Sequence, residues 1–216
     1  MDKNEISMLE FELLKRDGLV HGVFTRQGGI SSAPFDSLNV GMNSGDEVPA
    51  IDMNRKLIIR KMGMKPLVFL NQVHGSAVKV LKNADNDLEQ VFEPGRELYT
   101  ADAIVTDMRD VFLVIQVADC QAVMLYDPER EVIANVHSGW RGSIENIVGR
   151  CVDKMTETFG CRPADIVAGI SPSLGPCCAE FVNYRLELPQ SFHDYMVRDN
   201  HFDFWRITES QLMEYG

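Results

Sequence analysis

Apolar positions recur along the chain in two rhythms, and each rhythm predicts its own kind of element. IDMNRKLIIRKMG (51–63) spaces apolar side chains three and four apart and stops at Gly63, the pattern of an amphipathic helix closed by glycine. SIENIVGRCVDKMTETFG (143–160) places Ile144, Ile147, Val148, Cys151, Met155 and Phe159 on one face and stops at Gly160, which predicts a second helix. Short apolar runs between turn residues read as strands: PLVFLNQVHG (66–75), ADAIVTD (101–107), and VFLVIQVADC (111–120), the last apolar enough to be buried on both faces. AVMLYDPEREVIANVH (122–137) reads as two strands around Asp127-Pro128, where proline fixes φ and the aspartate can bond its own backbone. LEFELLKRDGLVHGVF (9–24) predicts an N-terminal hairpin around Asp17-Gly18. Strands and helices mix without strict β-α-β alternation, so the expected fold is α+β, a single layered domain with mixed β-sheets flanked by helices.

Residues 25–47, TRQGGISSAPFDSLNVGMNSGDE, break both rhythms and read as one long shaped loop, the kind of segment that often carries function. No repeat, low-complexity tract or long linker divides the 216 residues, so residues 1–216 are expected to form one domain. With 45% hydrophobic and 25% charged residues, such a chain can bury a full core without disulfides.

Net charge narrows the partners. A formal −11 argues against a broad phosphate-tracking surface, so neither nucleic acid nor an anionic membrane is expected, while a small phosphate-bearing ligand in a local basic pocket stays compatible. The first residues lack a basic stretch followed by a long apolar one, and VFLVIQVA (111–118) is too short to span a bilayer, which points to the cytoplasm. Five cysteines, two of them adjacent and none behind a secretory signal, read as reduced thiols.

Three metal-ligating side chains, His74, Cys120 and His137, stand at or just past the ends of predicted strands. A four-residue loop over 127–130 would set Tyr126 opposite Glu131 and Cys120 opposite His137, with Cβ atoms about 4.5–5.5 Å apart. A longer loop with a bulge would make them diagonal neighbours; both arrangements keep them within reach of one ion. A soft thiolate with two imidazoles suits Zn²⁺, and three protein ligands leave a fourth position for an acidified water. The spacing itself matches no standard zinc motif, since H-E-x-x-H and paired C-x-x-C are absent and GPCCAE (175–180) is neither. Taken singly, a cysteine ending a buried strand is more often a small core hydrophobe. The flanks argue otherwise: HSGWRG supplies glycines that permit close approach and an arginine able to fork onto phosphate or carboxylate.

In order and spacing, TRQGGISSAPFDSLNVGMNSGDE, NQVHG, TADAIVTD, VADCQAVMLYDP, NVHSGWRG and ISPSLGPCCAEF resemble the YfiH-like family. Its members, once labelled polyphenol oxidases or laccases, are described as zinc-dependent purine nucleoside phosphorylases that also deaminate adenosine and accept methylthioadenosine. The resemblance runs from about residue 20 to about residue 205. It implies a CNF1/YfiH-like fold and an enzyme that takes a purine nucleoside (adenosine, inosine or methylthioadenosine) with phosphate as co-substrate. It implies one zinc per chain held by His74, Cys120 and His137, the same three residues serving catalysis, and no obligate protein partner. It also makes Arg26 and Asn39 candidate phosphate or ribose contacts. Arg141 either faces the substrate or ties its loop to a neighbouring carboxylate, and Trp140 either stacks on a purine or seals the underside of the loop. Asp119 adjoins Cys120 but points to the other face of a strand, so it receives no role. Cys177 and Cys178 read as parts of a tight turn, because adjacent cysteines bridge only with strain.

Two departures from the family stand out. Relatives continue for some tens of residues with a Cys-Thr element, an aromatic-rich stretch and a closing strand, so this domain is expected to lack the usual C-terminal segment. Gln121-Ala122 stands where the family tends to have proline, and ITESQLMEYG reads as a helix with Thr208 and Gln211 at capping-box spacing.

Other functions make different demands. A metal-free hydrolase or deamidase with Cys120 as nucleophile and His137 as base has no need of His74. A multicopper oxidase needs more imidazoles than five histidines provide, with His193 and His201 in a polar C-terminal region. A zinc-stabilised binding module without turnover is the non-enzymatic reading.

Overall fold

The computed structural model describes residues 6–82 and 97–216. In chain order the strands are β1 (Met8–Leu9), β2 (Val23–Phe24), β3 (Leu67–Asn71), β4 (Val78–Leu81), β5 (Glu97–Thr100), β6 (Ala103–Thr106), β7 (Phe112–Val114), β8 (Gln121–Asp127), β9 (Val132–Ser138), β10 (Val167–Ile170), β11 (Met196–Arg198) and β12 (His201–Phe202). The α-helices are α1 (Val48–Lys61), α2 (Trp140–Ile144), α3 (Ile147–Phe159), α4 (Tyr184–Glu187) and α5 (Phe204–Met213).

Five strands in the order β10-β8-β9-β6-β4 make the main sheet, antiparallel except for the β6–β4 pair. A second sheet, β5-β3-β7, is wholly parallel. Strand alternation sorts the side chains into layers. Val105, Val123, Leu125, Ala134 and Val136 face α3, meeting Ile147, Val148, Cys151 and Met155. The opposite face presents Ile104 and Leu81 to Val68 and Leu70 of β3. The far side of β3, Leu67 and Phe69, packs on Ile58 of α1 and on Leu38. The result is a helix-sheet-sheet-helix stack of the α+β class, as the patterning predicts.

Several boundaries differ from expectation, each for a packing reason. The predicted helix over 143–160 is two helices, broken at Asn146, which sits left-handed at φ 50 and accepts from the Gly149 N–H. The break lets Trp140 and Ile144 join an aromatic cluster around Phe202 and Ile207 while the residues after it face the main sheet. Strand β7 ends at Val114 because Gln72 takes over the ladder: its side chain accepts from Gln116 N and donates to Gln116 O, both at 2.8 Å. At the N-terminus the Asp17-Gly18 turn forms, with Gly18 at φ 81 and Arg16 bridged to Leu19. The paired strands around it, however, shrink to β1 and β2, and residues 12–14 curl into a 3₁₀ turn that buries Leu14. Gly169 of β10 makes room for this, since a Cβ there would lie 2.8 Å from the Phe11 ring.

Helix α5 starts earlier than the capping-box spacing suggests, at an Asp203 cap that accepts from Arg206 N at 3.0 Å. Thr208 and Gln211 lie inside it: the Thr208 hydroxyl donates to the Gln121 side chain, and Gln211 donates to the Ser143 carbonyl at 2.7 Å. Among the described residues no helix is long and apolar enough to cross a membrane.

Candidate metal centre

The β8–β9 hairpin sets the centre. Its ladder runs from Asp127 opposite Val132, through Ala122 opposite His137, to Gln121 opposite Ser138, so the loop is 128–131 and the register lies two residues from the expected one. The turn works as its residues suggest, with Asp127 accepting from the N–H groups of Glu129 and Arg130 at 2.9 and 3.0 Å. A two-residue offset keeps the same face. Cys120, just before β8, is therefore diagonal to His137 and reaches the same side of the sheet.

His74 arrives from elsewhere. It lies three residues past β3 in a left-handed conformation, φ 59, unusual for a residue with a Cβ. Asp102, at the start of β6, holds it there: the carboxylate accepts from the N–H groups of Val73, His74 and Gly75 at 3.3, 2.9 and 2.8 Å. The same carboxylate is 2.8 Å from His137 Nδ1, and the Asp102 carbonyl accepts from His137 N at 2.7 Å. A carboxylate can only accept, so Nδ1 carries the proton and Nε2 is the ring nitrogen left for an ion. One buried side chain thus orients both histidines.

The donor atoms of His74, Cys120 and His137 all lie within 4.8 Å of one another. The imidazoles meet edge to face with centroids 4.8 Å apart. Gly139 makes this approach possible, because a Cβ there would lie 3.1 Å from the Cys120 sulfur and 3.3 Å from His74. That is the physical reason for the first glycine of HSGWRG. His137 is buried, Cys120 half-buried and His74 exposed, which leaves the cluster open on one side.

Charge follows from the contacts. Burial works against the Asp102 carboxylate, but the His137 ring and the Gly75 and Val73 N–H groups outweigh it and hold its pKa below the usual range. Burial likewise opposes a charged His137, yet the bonds to Asp102 and Cys120 prevail and raise its pKa to about 9. Two imidazoles and a thiol, one imidazole backed by a carboxylate, are a donor set suited to zinc bonds of about 2.0–2.3 Å.

The other sequence candidates make their hydrogen bonds and ring contacts outside the three ligating side chains. Arg26 is exposed, 3.8 Å from Asp36, and its carbonyl accepts from Ser37 and Leu38 N–H groups. Asn39 spends its amide on the Gly-rich loop, donating to Ser44 and Asp46 and accepting from Gly41 N. Both line a cavity of about 1200 Å³ whose wall also includes Ala118 and Ala122, on either side of Cys120. Arg141 is exposed and stacks on Trp140 at 4.3 Å, and among the described residues no carboxylate pairs with it. Trp140 turns its other contacts to Phe181 and the aromatic cluster, so it seals the loop. Asp102 is the residue that sequence reasoning missed. Its signal was there: a lone carboxylate between Ala101 and Ala103, at the head of the apolar run 103–105.

Residues 20–216 match the family described as multi-copper polyphenol oxidoreductase laccase. The chain belongs to this laccase-like, YfiH-like family. Its relatives include purine nucleoside phosphorylase YlmD of Bacillus subtilis, 32% identical over 166 residues that cover 74% of this chain and 58% of that protein. A purine nucleoside phosphorylase of Bacteroides thetaiotaomicron is 30% identical over 220 residues, covering 97% of this chain and 82% of its own length. Among solved structures, YlmD from Geobacillus stearothermophilus superposes with a TM-score of 0.81 at 27% identity, covering 95% of this chain and 79% of that one. The YfiH-like chain thus spans less than two thirds of the B. subtilis relative. Despite the family's copper label, the described residues gather one cluster of three such donors.

Proposed function

We propose that this YfiH-like chain is a zinc-dependent purine nucleoside phosphorylase with an accompanying adenosine deaminase activity. Its substrates would be adenosine, inosine or methylthioadenosine with phosphate, yielding the free base and a ribose 1-phosphate derivative. The observation that carries the reading is the convergence of His74, Cys120 and His137 on one point, with Asp102 bonded to the His137 ring and to the His74 backbone. The names of the relatives support the phosphorylase part of this reading.

In this reading His74, Cys120 and His137 hold the ion, which when bound supplies a Lewis acid that makes water a nucleophile near neutral pH. Phosphate attacks C1′ of the nucleoside, the glycosidic bond breaks, and its electron pair leaves with the purine, which takes up a proton. Arg26, exposed beside the cavity, offers a guanidinium to the phosphate, and Arg141, fixed by its stack on Trp140, offers a second. Asn39 acts indirectly, holding the Gly-rich loop so that its backbone N–H groups keep one shape.

A second reading has its own observation. Cys120, His137 and Asp102 form a thiol-imidazole-carboxylate chain, with the raised His137 pKa expected of a base beside a thiol. That arrangement would serve a metal-free hydrolase but gives His74 nothing to do.

Metal analysis of protein purified without added zinc separates the two. The phosphorylase requires about one zinc per chain, lost in Cys120→Ala, together with phosphate-dependent release of adenine from adenosine. Zinc-free protein that hydrolyses an amide would establish the second reading. Zinc-loaded, folded protein with no turnover would leave a binding module.

A further inference from the structure

The metal centre makes no use of the adjacent thiols Cys177 and Cys178. Both are exposed free cysteines, and their sulfurs lie 3.4 Å apart. By contrast Cys151 and Cys161 are buried, and Cys120 faces two imidazoles. The pair sits on a built turn. Cys178 N and Ala179 N both donate to the Gly175 carbonyl, at 2.9 and 3.1 Å. Trp205 closes on Gly175, where a Cβ would lie 3.2 Å from the indole, and its Nε1 donates to Ser173 at 2.6 Å. The Arg198 guanidinium donates to the Cys177 carbonyl at 2.6 Å, which puts a positive charge beside the sulfurs.

This turn is fastened to the segment that carries Cys120. Leu174 N donates to the Asp119 carbonyl, and Ser171 N to the Ala122 carbonyl, both at 2.9 Å. The Ala122 N–H returns a bond to the Ser171 hydroxyl at 2.9 Å. The loop thus brackets Cys120 on both sides, although its own thiols face outward.

We propose that Cys177 and Cys178 form a peroxide-modifiable site, a vicinal dithiol that closes reversibly to a disulfide. Accessible thiols poised next to a resolving thiol are the ones a hydroperoxide oxidises first. One of the two sulfurs, as its thiolate, takes the distal peroxide oxygen, the O–O bond breaks, and the departing hydroxide leaves as water after picking up a proton. The neighbouring sulfur, 3.4 Å away, then attacks the sulfenic sulfur, the S–S bond forms, the S–O bond breaks, and a second water leaves with the thiol proton. Two thiols and one hydrogen peroxide become one disulfide and two waters.

Reversibility follows from geometry. Adjacent Cα atoms are about 3.8 Å apart across a trans peptide, short of the roughly 4.4–6.8 Å that disulfides prefer. The bond is therefore strained and easily reduced. Closing it must twist the 177–178 peptide and pull on the turn held by Gly175.

The test uses the full chain, treated with hydrogen peroxide near stoichiometry, alkylated, digested without reductant and mapped by mass spectrometry. The expected peptide carrying Cys177 and Cys178 is lighter by two hydrogens, is alkylated at neither sulfur, and is restored by dithiothreitol. Cys177→Ser and Cys178→Ser should each abolish that product and let the remaining sulfur run on to oxygenated acids. Melting temperatures of the two variants check that an exposed Ser-for-Cys exchange leaves the fold intact. Recovery of both cysteines alkylated, of separate oxygen adducts on each in the unaltered chain, or of disulfides between chains would overturn the proposal.

Discussion

Asp102 does at the candidate metal centre what neither histidine could do for itself. It is fully buried, yet every bond of its carboxylate goes to a group whose position matters: the His137 ring and the backbone of the His74 turn. Replacing it with asparagine removes the charge and one acceptor while nearly keeping the shape. Asp102→Asn is expected to weaken zinc binding by about 10–100-fold, the usual cost of losing an orienting carboxylate behind a ligand. Competition with a chromophoric chelator measures this, and an unchanged affinity would reduce Asp102 to a structural role. His137 supplies a pH test in metal-free protein. Its pKa is raised from the ordinary 6.5 to about 9, so its protonated form favours folding. That contribution is complete below pH 6.5 and is lost as pH rises through about 9. Urea midpoints of chelator-treated protein should fall across that window. Zinc uptake has the opposite slope, since the ion competes with the same proton.

At the scale of elements, the local signals were strong where turn chemistry and alternation agreed. The β8–β9 hairpin was legible because Asp127-Pro128 turns the chain and the flanking runs alternate. Its register was legible only to within two residues, because which carboxylate-capped loop closes a hairpin depends on Glu131 taking φ 53. The break between α2 and α3 was not legible, for Asn146 stands in a stretch whose apolar spacing fits one continuous helix. What divides it is that residues 140–144 and 147–155 serve different cores. Asn146→Ala should cost about 0.5–2 kcal/mol through the lost cap, and Asn146→Gly only a few tenths, because glycine accepts the left-handed conformation. Urea denaturation of both variants checks the ranking, and equal losses would show that the left-handed conformation of residue 146 does not matter there.

At the scale of the whole molecule, the centre draws on four separate places: the turn after β3, the head of β6, the approach to β8 and the end of β9. The hydrophobic layers on either side of the main sheet do not include these ligands. Removal of zinc should therefore lower the melting temperature without unfolding the chain, because a ligand that binds the folded state alone stabilises it by mass action. Calorimetry with and without chelator, with circular dichroism before heating, gives the answer. A chain unfolded at 25 °C by chelation would mean that the metal, not the layers, carries the fold.

The sequence by itself determined the α+β class, the two helical faces, the Asp-Pro turn and the identities of His74, Cys120 and His137, since each rests on patterns local in the chain. Only the tertiary structure decided that Asp102 binds both histidines, that Gly139 is the gap through which sulfur and imidazole approach, and that Asn39 serves its loop. The first depends on groups 27 to 35 residues apart meeting at hydrogen-bond distance, the second on side chains closing over a glycine, and the third on a loop folding back on itself over 2 to 7 residues. No local periodicity encodes such a meeting, because it is fixed by how two sheets and their loops pack together.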